Sequence, residues 1–165
     1  MSANKKPRKR YKPKRVLLDT MGYVKQELTP VGKHESYLLD LQIKNSQAMT
    51  SLLRGTATKI EMDVLIAMSN ICESLRLMGF GKEYEEVGIA GRQALIGIAF
   101  RSVKLLRFTP TGPEIKALNE LMELHDAQME VITVQDMCNA IERAKATIRH
   151  GKATQIPTNY LGATV

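Results

Sequence analysis

The feature that most narrows what this chain can fold into is a spacing. From about residue 36 to residue 150, apolar side chains recur every three or four positions. That is the period of a helix with one buried face, not the alternation of a strand. The clearest case is Ile115, Leu118, Met122, His125, Met129 and Ile132, an unbroken stripe at alternating steps of three and four.

Turn signals cut the pattern into five segments. The first runs from about Ser36 to Arg54 and stops at Gly55. The second opens on Thr58-Lys59-Ile60-Glu61, in which the Thr58 hydroxyl can serve an orphan amide while Glu61 reaches back. It continues through Ile60, Val64, Ala67, Met68, Ile71, Leu75 and Met78 to Gly79-Phe80-Gly81. The third, about Lys82 to Phe108, has Glu83, Glu85 and Glu86 in its first turn and Arg101, Lys104 and Arg107 at its end, the polarity a helix dipole prefers. Gly88, Gly91 and Gly97 inside it each cost about 1 kcal/mol relative to Ala, so a close helix-helix approach is expected there.

The fourth starts at Thr111-Gly112-Pro113-Glu114, and the fifth follows the weaker cap Thr133-Val134-Gln135-Asp136 with a stripe of Met137, Ile141, Ala144 and Ile148. Five amphipathic helices on short turns bury their stripes against one another, so the expected fold is all-α, a compact helical bundle over residues 35–151. Residues 16–34 read as a connector and residues 152–165 as a C-terminal tail.

Charge divides the chain differently. Of 24 Lys and Arg, Lys5, Lys6, Arg8, Lys9, Arg10, Lys12, Lys14 and Arg15 fall in the first fifteen residues, which hold no acid. This arm carries +8 of a formal +7, and the remainder holds 16 cations against 17 acids, or −1. A uniformly basic nucleic-acid-binding globule is thereby excluded. Eight like charges with Pro7 and Pro13 predict a disordered arm when free. Its cations can neutralise phosphates while Tyr11 adds one stacking face, so Lys5, Lys6, Arg8, Lys9, Arg10, Tyr11, Lys12, Lys14 and Arg15 are the candidate nucleic-acid-binding residues. An acidic protein surface is the competing partner, and a solvating tail the bland one. The prolines and the lack of an apolar face speak against a membrane-surface helix.

Motifs for catalysis are near misses. Gly79-Phe80-Gly81-Lys82 lacks the spaced first Gly and the Ser/Thr of a phosphate loop, and reads as a helix stop. His34-Glu35 begins like a zinc-protease motif but has Leu38 where the second His belongs. A recognition helix opening on acids is a poor reader of a major groove. His125-Asp126 lies on the fourth stripe, but neighbours on a helix point about 100° apart, so a core histidine is the favoured reading over a ligand-binding or catalytic bundle centred on it. His150 sits at a helix C-terminus. No metal or cofactor site is expected. Cys72 and Cys138, inside apolar patterns, are expected to be reduced core thiols of an intracellular protein. Val16-Leu17-Leu18 is broken at once by Asp19, so no export signal and no membrane span are expected, and the expected location is the cytoplasm.

The arm Lys5-Lys6-Pro7-Arg8-Lys9-Arg10-Tyr11-Lys12-Pro13-Lys14, together with Leu121-Met122-Glu123-Leu124-His125-Asp126-Ala127-Gln128-Met129-Glu130-Val131-Ile132-Thr133, resembles a group of small uncharacterised proteins of proteobacteria and their phages or prophages. The likeness implies a bacterial host and no activity or site residues. The resulting expectation is a non-enzymatic accessory protein whose arm contacts nucleic acid while its body binds protein or a second copy of the chain. The alternative is an anti-defence or host-takeover inhibitor that acts by stoichiometric protein binding.

Overall fold

A computed structural model describes residues 35–151, with side chains from residue 39 onward. The arm, the connector, the C-terminal tail and His34 lie outside the described residues. Within them are five α-helices: α1 (Glu35–Leu53), α2 (Lys59–Met78), α3 (Glu85–Leu105), α4 (Gly112–Val131) and α5 (Val134–Arg149), with a single 3-10 turn at Lys82–Tyr84 and no strand. The fold is an all-α bundle.

The helix starts follow from short-range chemistry. The amide of Thr58 donates to Glu61 Oε2 at 2.7 Å, that of Thr111 to Glu114 Oε2 at 2.7 Å, and that of Thr133 to Asp136 Oδ2 at 3.0 Å. Three of the five helices therefore open on a Thr with an acid three residues on, which satisfies donors that the helix leaves orphaned. At the other end of α2, Gly79 takes φ 117° and its N–H donates to the carbonyls of Leu75 and Arg76, the left-handed cap that a residue without Cβ adopts freely. The Gly79-Phe80-Gly81 segment is thus a helix stop. α3 is shorter than its sequence suggests: Lys82–Tyr84 form the 3-10 turn, and the helix ends at Leu105. Phe108, beyond that end, is fully buried and plugs the core from the α3–α4 loop.

α2 is the hub, with α1, α3, α4 and α5 all packed on it, while α4 also lies along α3 and touches α1. The core is correspondingly in two parts. The larger joins Met49 and Leu52 of α1, Met62 and Leu65 of α2, Leu95 and Ile98 of α3 and Leu118 and Leu121 of α4. The smaller gathers Leu75, Met129, Ile132, Met137 and Ala140 where α2, α4 and α5 converge.

Two stripes are wider or shorter than their sequence spacing. On α4, Leu121, Leu124 and Gln128 are buried beside Leu118, His125 and Met129, whereas Ile115 and Met122 are only half-buried. A helix packed against three others buries more than one narrow face. On α5, which packs chiefly against α2, Met137 and Ala140 are buried and Ile148 is exposed. Cys138, expected in the core, is exposed because the buried face of α5 runs through its neighbours Met137 and Ala140.

The three glycines of α3 differ in role, and the helix runs unbroken through all of them. A Cβ at Gly91 would lie 2.7 Å from Cδ2 and 2.8 Å from Cβ of Leu121, so α3 and α4 approach too closely there for any side chain. At Gly97 the obstacle would be Glu114 Oε1 at 2.9 Å, while at Gly88 the nearest atom, Glu73 Oε2, stands 3.8 Å away.

Candidate functional site

The residues singled out in the arm, Lys5 to Arg15, lie outside the described residues, so the structure bears on the body that carries them. The described body holds 13 Lys and Arg against 15 Asp and Glu, a formal −2. No helix in it is long and apolar enough to cross a membrane, and no group of three His, Cys, Asp or Glu in it could hold a metal ion.

His125 is placed by α4 in the bundle interior, 2% exposed. Its Nδ1 meets no hydrogen-bond partner among the described residues, and burial pushes its pKa down to about 4. The imidazole is therefore neutral and closed off from solvent. One turn on, Gln128 donates Nε2 to the Cys72 carbonyl at 3.2 Å and the Phe80 carbonyl at 2.9 Å, tying α4 to α2 and to the turn after it. Asp126, adjacent in sequence, points elsewhere: burial raises its pKa, and a hydrogen bond from Gln42 of α1 opposes that rise. His125 and Asp126 are not brought together as an acid-base pair, in keeping with the angle between neighbours on a helix. Cys72 is buried, and desolvation pushes its thiol up to about 12. His150 caps the end of α5 at the surface.

The charged groups that organise the body were not apparent as a set in the sequence. Arg76 grips Glu73 through Nε at 2.8 Å and Nη2 at 3.0 Å and reaches Glu85 of α3 at 3.3 Å, while Arg92 of α3 meets Glu73 at 3.3 Å. The Arg76 hydrogen bond, with Arg92 beside it, holds the Glu73 carboxyl below its usual range. The Glu73-Arg76 spacing of three is visible in sequence, but the partners on α3 depend on how the two helices cross. A second staple joins Arg101 of α3 to Glu114 and to the Thr109 carbonyl at 3.2 Å, so Glu114 both caps α4 and fastens α3 to it.

Two surfaces of the body remain open. An open groove of about 990 Å³ runs between α1 and the start of α2, with Leu39, Ile43, Ile60 and Val64 on its apolar walls and Lys44 and Arg54 among its polar lining. Ile60, expected on the buried stripe of α2, is 73% exposed in it, and Ala67 of the same stripe is exposed too, because the buried face of α2 runs through Met62, Leu65, Met68, Cys72 and Leu75. The outward side of α3 is the second, with Ile89 and Phe100 both exposed. Neither is visible in the sequence, because a groove is a property of two helices and a helical spacing does not say which of its faces is covered.

No protein-family model, curated protein or solved structure matches this chain.

Proposed function

We propose that this chain is a non-enzymatic accessory protein, of the kind carried by phages and other mobile elements, that contacts nucleic acid non-specifically through Lys5 to Arg15 and engages a protein partner with its helical body. The observation that carries the reading is the separation of charge. Eight cations stand in the first fifteen residues, while the described body totals −2. Phosphate attraction would therefore reside in the arm, and the body would recognise by shape and apolar contact. The groove between α1 and α2 supports the second half of the reading, since its exposed aliphatic walls suit an apolar partner segment.

The test is a salt titration of binding to duplex and single-stranded oligonucleotides by the full chain, and by a full-length variant with all eight arm cations replaced by Gln. Affinity should fall by about 0.7 to 0.9 log units per log unit of salt for each phosphate contacted, and the neutralised variant should lose both the affinity and the salt dependence. Binding that is absent, insensitive to salt or unchanged in the variant overturns the reading. Stoichiometric recovery of one host protein by the full chain, combined with such absent nucleic-acid binding, would favour the inhibitor alternative.

A further inference from the structure

We propose that the outward face of α3 is a self-association surface on which two copies of this chain pair antiparallel about a two-fold axis. The inference is independent of what the arm binds.

α3 has already met the needs of the monomer with one face: Gly88, Gly91, Ala94, Leu95, Ile98 and Ala99 are buried against α2 and α4. The opposite side carries a second ordered stripe, Ile89, Gln93, Ile96 and Phe100, at steps of four, three and four. Ile89 is 41% and Phe100 54% exposed. Such a spacing is the seam of a paired helix, and folding of the monomer does not call for it.

The charges at its ends choose the partner. Glu86 flanks the stripe at its start, and Lys104 flanks it at its end. Two copies laid parallel would set like charge beside like charge. Laid antiparallel, a register that puts Ile89 against Phe100 of the second copy also puts Gln93 against Ile96 and brings Glu86 of one copy beside Lys104 of the other. A two-fold interface must be complementary to itself in this way.

Leu106 and Tyr84, which flank the two ends of α3, are also exposed in the single chain, Leu106 at 72%. Leu106 holds φ 53°, a left-handed cap in which Gly or Asn is the usual residue. Its N–H donates to the Ser102 carbonyl, so this conformation closes the end of α3.

A helix of 21 residues is about 31 Å long, so the interface is small and the dimer weak. The experiment is sedimentation equilibrium of the nucleic-acid-free full chain from low micromolar to several hundred micromolar, with far-UV circular dichroism on every variant. A monomer–dimer equilibrium is expected. Phe100→Glu should raise its dissociation constant at least about 30-fold, and Ile89→Glu should act in the same direction, each with unchanged helix content. Glu86→Lys should weaken association, and Glu86→Lys combined with Lys104→Glu should restore it. A chain that stays monomeric throughout, a dimer indifferent to both apolar substitutions, or a double exchange as weak as the single one overturns the proposal.

Discussion

His125 shows how much a single side chain can decide. Its folded pKa is about 4, against 6.5 for an ordinary imidazole, and burial is the cause. Above pH 6.5 both folded and unfolded states hold it neutral. Between there and pH 4 the unfolded chain takes up a proton that the folded chain refuses, so stability falls as pH falls, by about 3 kcal/mol in all, and levels off below pH 4. Asp126, whose pKa burial raises, works in the opposite direction at the acid end. His125→Leu isolates the histidine's share: urea unfolding from pH 7 to pH 4 should show a smaller loss of stability in the variant than in the parent chain, and equal losses would contradict the assignment. The cysteines separate just as sharply. A thiol reagent at neutral pH should label the exposed Cys138 at once and Cys72 only after unfolding, because the Cys72 thiol is both buried and pushed up to about 12.

Helices bring a different competition, between backbone preference and close packing. Gly→Ala inside a helix gains about 1 kcal/mol from propensity alone. At Gly88 the added Cβ would meet nothing nearer than 3.8 Å, so Gly88→Ala should stabilise the fold by roughly that amount. At Gly91 the Cβ would stand 2.8 Å from the Cβ of Leu121, which no change of rotamer can move. α3 must then slide along α4, and overpacking of this kind costs about 1–3 kcal/mol, so Gly91→Ala should be net destabilising. Chemical denaturation of the two variants checks the opposite signs. This scale is also where sequence reading succeeds and then stops. Thr58 with Glu61, Thr111 with Glu114 and Thr133 with Asp136 mark three helix starts because each cap is closed within four residues. The three glycines announce a close approach, yet only the position of Leu121 tells Gly91 from Gly88. Ile89, Ile96 and Phe100 were legible as a spacing all along, but whether a stripe faces the core or the solvent is settled by the neighbours of α3, not by α3.

For the whole molecule, the consequence of the charge distribution is separability. The described helices bury two apolar clusters joined through α2 and tie α3 down with Arg76–Glu73–Arg92 on one side and Arg101–Glu114 on the other. All of these interactions lie among the described residues. Sequence partition made the arm visible because charge is additive along a chain. The groove between α1 and α2 was invisible because it exists only once those helices cross. If arm and body are separate, removing the first fifteen residues takes away +8 and leaves the fold as it was. The most direct measurement is the thermal unfolding midpoint of the full chain and of a chain beginning at residue 16, compared in the same buffer without nucleic acid. Coincident midpoints and equal helix content are predicted. A midpoint lower by more than about 2–4 °C, the shift that 1 kcal/mol produces in a domain of this size, would show that the arm is part of the folded body and contradict the account.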